Sequence, residues 1–580
     1  MKNQAIPTRA VVWKQSSKEL LMNRYAQDTE AVPAHVLDRI AKGLAANEVN
    51  PEEWVHQFRD ALDYCVMEDR IAESVGVLPK SHPLVSGFAH SFAKTKDPES
   101  CDMIAAYSTA AEMAKVGMLG AASAYDLSAV APKGSTIEAF KCIAPGCVPI
   151  VKVFQSVQGA GQRATIRCDH PDILELVAYA ATSAGNVGNF GLTILVTDKL
   201  LKCAVDARRI PLTHTSKPSA IQIASGAHPT LDGAWCYRLI DARFLLNEIL
   251  GSMNATSSVN IVFIDRVVDQ NNLHYAEELQ CVDAISGQLL PVNGSCVHGH
   301  IVLDRFVDAN RLTGVAEFNL DRLKQVAAHM VRMLDNVIEL TSWPTPQQES
   351  EAMQKRRLAI GVTGLADAIA LMGMDYGSAR AQAFAANLVL AIRDSAYNAS
   401  VELALERGPF QVFDRRAYLQ MVGLESEGTS ASRLPDEIRQ SIRTYGIRNS
   451  HLIGQAPALK ASRTFGNDCS VGLAPVSCHV VQQDPIGADD DPSGQASAVR
   501  APVRPSAHLE MISALSCAFD GCISESIEVA AHASADQLRK LCFEAWAGGA
   551  TSLTLTAIKT QHHEHAYASQ GPLLMDGRLD

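Results

Sequence analysis

The chain has 580 residues, of which 47 % are hydrophobic and 20 % charged, and 51 Lys and Arg against 63 Asp and Glu give a formal charge of −12. This composition excludes general disorder. The negative balance, without a long run of Lys or Arg, argues against binding to nucleic acid or to an anionic membrane surface. Small-molecule ligands are therefore favoured.

Targeting and disulfide signals are absent from the sequence as it stands. The opening MKNQAIPTRAVVWKQ lacks the apolar core of a signal peptide, and no stretch reaches the ~18 consecutive apolar residues that span a bilayer. The 14 cysteines are scattered without a C-x-x-C pair, unlike the framework of a small secreted domain. We expect a cytoplasmic protein, without membrane association, whose thiols are reduced.

Helix and strand patterns alternate along the chain. The segment NPEEWVHQFRDALDYC predicts a helix capped by Asn50, and a longer helix begins after Asn319 with Arg322 outside its apolar stripe. The runs GLTILVTD (191–198) and VNIVFID (259–265) are almost continuously apolar, which is typical of strands buried on both faces of a parallel sheet. The alternation predicts an α/β fold.

Ten sequence blocks, in a fixed order, resemble those of the adenosylcobalamin-dependent (class II) ribonucleotide reductases. The resemblance extends over most of the chain, from about residue 50 to 557. The blocks are YDLSAVAPKGS (125–135), APGCVPIVKVF (144–154), RATIRCDHPDI (163–173), NFGLTILVTD (189–198), VNIVFIDRVVDQNNLHY (259–275), MLDNVIEL (333–340), RRLAIGVTGLAD (356–367), AYNASVELALERGPF (396–410), IRNSHLIGQAP (447–457) and HLEMISAL (508–515).

The resemblance implies a ten-stranded α/β barrel with a finger loop through its centre and a mostly helical N-terminal region. Four regions follow: 1–115, helical; 116–481, barrel; 482–507, a flexible loop rich in Pro, Asp and Ser; and 508–580, the end of the barrel and a tail. In this family, adenosylcobalamin generates a thiyl radical on a finger-loop cysteine, which starts reduction of the ribonucleotide at the 2′ position. The cofactor supplies the radical chemistry and the protein supplies position and thiols.

The finger loop departs from the family pattern N-P-C-G-E. Aligning the flanking residues places the Asn on Asp283, the radical Cys on Ile285 and the Glu on Gly287; a slip of one residue gives Ala284, Ser286 and Gln288 instead. In neither register is a thiol present, and neither replacement of the Glu can act as a general acid or base. A register shift of four residues would be needed to bring Cys281 to the tip.

The reducing cysteine pair is incomplete in the same alignment. The later member corresponds to Cys296, which is read either as a retained redox thiol or as a small buried hydrophobic residue. Its partner, in a Cys-Phe dipeptide of the family, falls on Ser91, and the nearest thiol is Cys101.

Phosphate contacts are also altered. The family turn P-T-G-T-x-S reads PALKAS here, which leaves Lys460 and Ser462 as candidate nucleotide-binding residues. The motif A-S-G-P-x-S reads APGCVP, where Gly146 is the third candidate. The allosteric loop ATSAGNVGN (181–189) has no Lys or Arg, and so offers no side-chain cation to an effector phosphate.

Two other clusters contain residue types that bind cations. The three histidines of QHHEHAY (561–567) could bind a metal, and Asp489, Asp490 and Asp491 could attract Ca²⁺ or Mg²⁺. Both runs are more typical of solvated segments, so no metal site is expected.

The residues that the family uses for chemistry are replaced, whereas the residues that pack its barrel are kept. We therefore expect a pseudoenzyme. The first hypothesis is a binding or regulatory protein that retains affinity for a nucleotide or for adenosylcobalamin, forms a homodimer, or associates with an active reductase subunit. The second is a working reductase with relocated cysteines, converting ribonucleotides to 2′-deoxyribonucleotides for DNA replication. The third is a different enzyme that uses the barrel mouth for another small molecule.

Overall fold

In the computed structural model, the residues described are 13–77, 82–90, 102–137, 142–157, 161–182, 190–309, 316–420, 428–467, 470–475 and 503–558. Within these residues, no helix is both long enough and apolar enough to cross a bilayer.

The strands are short and lie throughout the described chain. They are β1 (Cys65–Met67), β2 (Gly87–His90), β3 (Ala122–Asp126), β4 (Thr136–Ile137), β5 (Cys142–Ile143), β6 (Gln162–Arg167), β7 (Phe190–Val196), β8 (Arg209–His214), β9 (His228–Pro229), β10 (Trp235–Asp241), β11 (Val259–Phe263), β12 (Cys281–Val282), β13 (Leu289–Leu290), β14 (Val297–Val302), β15 (Val307–Ala309), β16 (Ala316–Phe318), β17 (Leu358–Thr363), β18 (Ser470–Val471), β19 (Ala474–Pro475), β20 (Ser526–Ala530) and β21 (Ser552–Ile558).

Helices connect most of these strands. They are α1 (Gln15–Tyr25), α2 (Pro33–Leu44), α3 (Pro51–Ala61), α4 (Asp69–Ser74), α5 (Asp102–Met118), α6 (Cys147–Gln155), α7 (Ile173–Ala180), α8 (Asp198–Val205), α9 (Ala220–Ala224), α10 (Ala242–Ala255), α11 (Ile264–Gln270), α12 (Leu320–Leu340), α13 (Pro346–Lys355), α14 (Leu365–Leu371), α15 (Ala379–Arg407), α16 (Asp436–Tyr445), α17 (Leu459–Phe465), α18 (Pro505–Leu515) and α19 (Ala535–Ala547).

Two sheets dominate the fold. The larger has the order β2-β3-β6-β7-β11-β21-β20, in which β2 to β11 run parallel and β21 lies antiparallel to β11. The smaller has the order β1-β14-β17, with β14 and β17 parallel. The predicted α/β class is confirmed, and so are the two strands predicted from their apolar runs, since every residue of β7 and β11 is buried.

Both helices predicted from periodicity are present, with two differences in detail. Asn319 caps α12 by accepting a hydrogen bond from the N–H of Arg322, whereas the Asn50 side chain makes no capping bond to α3. The prediction that Arg322 lies outside the buried stripe was wrong. Its side chain is 5 % exposed, pairs with Asp60 at 2.6 Å and lies over the ring of Tyr64, because α3 covers that face of α12.

The larger sheet begins before the predicted boundary at residue 115. Its edge strand β2 lies within the region 1–115, and α1 to α4 precede that strand. The segment 482–507 lies outside the described residues up to position 502, and α18 begins at Pro505. After β11 the chain passes through α11 into the β12–β13 hairpin and then into β14. The hairpin therefore connects the two sheets at the position expected for a finger loop.

Candidate functional site

The centre of the site is the tip of the β12–β13 hairpin, residues 283–288. The N–H of Asp283 donates to the carbonyl of Gln288 at 2.8 Å, and the N–H of Gly287 donates to the carbonyl of Asp283 at 3.1 Å. Gly287 has a φ of +68°, a conformation that favours glycine. The hairpin base is fixed by Thr165, whose hydroxyl accepts the N–H of Val282 at 2.9 Å. The tip is thus a closed turn held at a defined position.

Asp283 organises this turn from within. Its carboxylate accepts the N–H of Ile285 at 3.4 Å, the N–H of Ser286 at 3.0 Å and the hydroxyl of Ser286. The residue is 1 % exposed. A carboxylate that accepts three hydrogen bonds from its own loop is a structural group, because its acceptor sites are largely occupied.

Gly87 on β2 is matched to Asp283. A Cβ atom placed on Gly87 would overlap the Asp283 carboxylate, so only glycine leaves room for that side chain. The sequence alignment places the earlier cysteine of the reducing pair on Ser91, and both Ser91 and Cys101 lie outside the described residues.

No thiol lies within the tip residues 283–288. Cys281 and Cys296 flank the tip, and both belong to one small buried cluster with Ala89, Ala124, Leu290 and Ala359. Burial raises the pKa of both thiols well above the usual range. Burial therefore disfavours the thiolate form of both cysteines.

Gln288 joins the tip to the segment that precedes β20. Its amide oxygen accepts the N–H of Cys522 at 2.7 Å, and its amide nitrogen donates to the carbonyl of the same residue at 2.9 Å. These two bonds satisfy both the N–H and the carbonyl of Cys522, as a neighbouring strand would. In the slipped alignment Gln288 would stand in the position of the family's Glu, but its amide is already used for structure.

Arg163 is a charged residue in this region that sequence reasoning did not identify. Its guanidinium donates to the hydroxyl of Thr193 at 3.2 Å and to the side-chain oxygen of Asn260 at 3.1 Å, and it lies directly over Gly191. Burial lowers the pKa of Arg163, while the Asp283 charge opposes this effect. The available signal was weak, because the strand QRATIR contains a second Arg, a Gln and a Thr as well.

The candidate phosphate-binding residues have internal partners. Ser462 is 1 % exposed; its hydroxyl lies 2.6 Å from the Thr363 hydroxyl, 2.9 Å from the Ala458 carbonyl and 3.3 Å from the Gly472 N–H. Lys460 is exposed and pairs with Asp69 at 2.8 Å. A phosphate group at this turn would have to compete with these contacts.

Gly146, the third candidate, directly precedes α6. Its φ is +81°, and a Cβ atom there would come within 2.7 Å of both the Asp172 carboxylate and Cβ of Lys133. Asp172 accepts the N–H groups of Lys133 and Cys147 at 3.0 Å. The carboxylate thus occupies the donors of this turn that an external anion would use.

Cys147, His170 and Asp172 place their ligand-type atoms within 4.8 Å of one another. The ring of His170 accepts the Asp172 N–H at Nδ1 and lies 3.0 Å from the Val130 carbonyl at Nε2. Because both ring nitrogens have partners in the protein, the group is explained as a turn-stabilising network. The histidines of 561–567, Asp489 to Asp491 and most of the loop 181–189 lie outside the described residues.

Glu525 stands beside the turn that holds Ser462. It is 7 % exposed, and it accepts the N–H of Leu473 at 3.1 Å and a bond from the Gln455 side chain. Burial raises the pKa of Glu525 to about 8. Glu525 therefore offers this turn a protonated carboxyl group, which does not attract a phosphate group as a cation would.

This shift gives a pH-dependent prediction. The folded protein retains the Glu525 proton between the ordinary pKa of 4.5 and about 8, so stability should fall as pH rises through this range, by at most about 1.4 kcal/mol per pH unit. Urea unfolding of Glu525→Gln between pH 5 and 8 should show a shallower fall than the unmodified protein. Equal slopes would contradict the assignment, and Glu525→Ala, which removes the acceptor of the Leu473 N–H, should destabilise at every pH.

Comparisons with known proteins agree with this architecture. The family model "Ribonucleotide reductase, barrel domain" matches residues 94–487. The chain is 25 % identical over 600 aligned residues to a vitamin B12-dependent ribonucleoside-diphosphate reductase of Mycobacterium tuberculosis, which covers 96 % of the chain and 79 % of that protein.

More distant relatives carry related names. A vitamin B12-dependent ribonucleoside-diphosphate reductase of Thermoplasma acidophilum is 23 % identical over 52 % of the chain and 38 % of its own length. A ribonucleoside-diphosphate reductase large subunit of vaccinia virus is 23 % identical over 63 % of the chain and 50 % of its own length. Because the barrel-domain match covers well over half of the 580 residues, the chain belongs to the ribonucleotide reductase family, as a homologue of its class II, vitamin B12-dependent members.

Proposed function

We propose that this chain retains the ribonucleotide reductase barrel but does not reduce ribonucleotides, and that it acts as a binding or regulatory protein. The observation that carries the proposal is the turn at residues 283–288, where Asp283 is bonded into the turn and neither residue that the two alignment registers put in the radical position, Ile285 or Ser286, is a cysteine. The tip is stabilised by the same groups that a catalytic loop would need to keep available for substrate.

The chemistry supports this proposal. Abstraction of a hydrogen atom from the ribose requires a radical on an atom that is readily oxidised, and a thiol S–H bond is weak enough to supply one. Ile285 offers only C–H bonds and Ser286 only an O–H bond that already donates to Asp283. Gly287 has no titratable group to assist at the 3′-hydroxyl.

Adenosylcobalamin is the cofactor that the family implies, and when bound it supplies a 5′-deoxyadenosyl radical. The residues at the tip do not fit that use, since 283–288 include no thiol to which the radical could pass. The tip therefore provides no residue for a catalytic step through the cofactor.

The alternative is a working reductase with relocated cysteines. Cys281 is paired with Leu290 inside the hairpin, and bringing it to the tip would break the bonds of Asp283 and Gln288. Cys296 is 2 % exposed. If either served catalysis, Cys281→Ala or Cys296→Ala would abolish deoxynucleotide formation, so turnover that persists in both variants would dismiss Cys281 and Cys296 as the relocated thiols.

We also infer that the two sheets close into the family's ten-stranded barrel. The N–H groups of Leu358 and Ile360 donate to the carbonyls of His451 and Leu452, and Gln455 pairs with Ile523. These contacts support a further strand between β17 and β20, and with β1 left out at the outer edge of β14 the barrel would then have ten strands. At the other edge, the N–H of Ala89 donates to the carbonyl of Gly294 at 2.8 Å and supports closure of β2 onto β14.

The same proposal covers assembly and location. A cytoplasmic protein with this barrel could pair with a second copy or with an active reductase subunit and influence the supply of deoxynucleotides for DNA replication. The support is the family membership together with the retained packing residues, such as the buried β17 strand of the GVTGLAD block.

Calorimetry tests the binding part of the proposal. Titration with each of the four ribonucleoside diphosphates and with adenosylcobalamin should detect binding of at least one of them. If the turn at residues 457–462 contacts phosphate, Lys460→Ala should weaken nucleotide binding, whereas Lys540→Ala, on the exposed face of α19, should leave it unchanged. Equal affinities in the two variants would remove this turn from the binding site, and absence of any binding would redirect the search to protein partners.

A further inference from the structure

A large cavity lies at the carboxyl ends of β3, β6, β7 and β11, on the side where the chain enters the finger hairpin. Its volume is about 840 Å³, which is ample for a small organic molecule. Leu279 and Gln280, directly before β12, form part of its wall. Crevices at the carboxyl ends of parallel strands are common ligand sites in α/β folds.

Acidic side chains outnumber Arg and Lys in the wall of this cavity. Six carboxylate residues line it, whereas Arg167 is the sole Arg or Lys among the described residues of its wall; the six are Asp126, Asp169, Asp232, Asp265, Glu277 and Glu278. Arg167 is already bound to Asp169 by two hydrogen bonds, of 2.9 and 2.6 Å. The cavity therefore has an excess of negative charge.

Two further carboxylates are satisfied by the fold. Glu277 pairs with Arg357 at 2.5 Å and with Lys355 at 3.0 Å, and Asp265 accepts the N–H of Asp198 at 2.7 Å. Asp126 accepts the N–H and the hydroxyl of Ser128 at 3.0 and 2.6 Å, and Asp232 accepts the hydroxyl of Thr230 and the N–H of Ala234. Within the described residues, no Arg or Lys forms an ion pair with Asp126, Asp232 or Glu278. Burial raises the pKa of Asp126 to about 6, although the Ser128 hydrogen bonds and the Arg167 charge oppose the rise.

The wall also includes apolar surface. Ile264 and Val268 on α11 lie beside Leu279, and Val268 is 45 % exposed. Carbon chains pack on such surface while charged groups reach the rim. The cavity thus combines apolar wall with separated carboxylates.

The carboxylates are dispersed rather than convergent. Asp126 ends β3, Asp232 lies between β9 and β10, and Glu278 precedes the finger hairpin. Among the described residues, the one cluster of three or more ligand-type side chains within metal-binding distance is that of Cys147, His170 and Asp172. Because no three of these carboxylates converge within that distance, a single metal ion is disfavoured and a ligand with several positive groups along its length is favoured.

We propose that this cavity binds an organic polycation of the linear polyamine class, with its ammonium groups at Asp126, Asp232 and Glu278 and its methylene chain against Val268. Each ammonium group offers N–H donors to a carboxylate, and charge-assisted bonds of this kind are stronger than neutral ones. The site is separate from the finger tip and its ligand is different from a nucleotide.

Calorimetric titration with spermidine tests the proposal at low and at physiological ionic strength. The pocket variant Asp232→Asn/Glu278→Gln removes two carboxylates that stand on exposed positions, and it should weaken spermidine binding by about tenfold or more. The control Glu52→Gln/Glu53→Gln removes the same charge from the exposed first turn of α3 and should leave the affinity within about twofold.

Unchanged spermidine affinity in the pocket variant, or no spermidine binding to the unmodified protein, would overturn the proposal. Binding of Mg²⁺ with no binding of spermidine would also overturn it. Thermal unfolding of both variants verifies that they are folded. Because neither variant alters the finger hairpin, the result does not depend on whether the chain reduces ribonucleotides.

Discussion

Replacing Asp335 with alanine is expected to destabilise the fold by about 3–5 kcal/mol, because it leaves buried guanidinium groups without their counter-charge. Asp335 lies on α12 and its side chain is fully buried. Its carboxylate is 2.7 Å from Arg356, 3.4 Å from Arg448, 3.6 Å from Arg407 and 2.8 Å from the Asn449 amide. This residue therefore joins α12 to α15 and to the segment after α16.

Urea unfolding followed by circular dichroism measures this effect. The control Asp436→Asn alters an 88 % exposed carboxylate paired with Arg439 and should change stability by only about 0–1 kcal/mol. A similar loss in both variants would contradict the role assigned to Asp335.

The same residue predicts a response to acid. Burial alone would raise the pKa of Asp335, but Arg356, Arg448 and Asn449 outweigh burial and hold it below the usual range. A lowered pKa stabilises the fold above the ordinary value of 3.8, and this stabilisation is lost as pH falls through the folded value. Unmodified protein should therefore lose more stability in acid than Asp335→Asn does.

Restoring the family's finger residues is expected to damage the fold without restoring activity. Gly287→Glu places a side chain at a φ of +68° and within about 2.6 Å of Ser524, which should cost about 2–4 kcal/mol. The triple variant Asp283→Asn, Ile285→Cys, Gly287→Glu, which restores the residues of the first register, should form no detectable deoxynucleotide, because the alignment finds no cysteine at the earlier position of the reducing pair.

A matched control separates the backbone cost of Gly287→Glu from the cost of its overlap with Ser524. Gly373 also has a φ of +68°, but nothing lies within 4 Å of a Cβ atom placed there. Gly373→Glu should therefore show only the backbone cost, about 1–2 kcal/mol. Equal losses at the two positions would mean that Ser524 moves aside and that the tip tolerates a side chain.

The sequence was informative where residues pack. Continuous apolar runs predicted the buried strands β7 and β11, because both faces of each strand are covered. The resemblance predicted a finger loop at residues 283–288, where the structure has the tip of a hairpin, and the flanking residues limited the alignment to two registers. In the structure Asp283 and Gln288 lie opposite each other at the end of the hairpin.

Contacts between distant residues could not be predicted in this way. The match between Gly87 and Asp283 joins positions far apart in the chain, and an isolated glycine does not indicate what fills its space. Arg322 was wrongly predicted because periodicity reports where an apolar stripe lies, while the buried guanidinium is stabilised by Asp60 from another helix. The hydrogen bond between the Ser462 and Thr363 hydroxyls is another contact between residues far apart in the chain.

The most direct test is an assay for 2′-deoxynucleotide product with purified protein, adenosylcobalamin, a dithiol reductant and each ribonucleoside diphosphate. An active class II reductase assayed in parallel verifies the conditions. The proposed loss of reduction at the finger tip predicts no product above the background without protein. Product that requires both the protein and adenosylcobalamin would contradict it, and would show that a thiol other than one at residues 283–288 carries the radical.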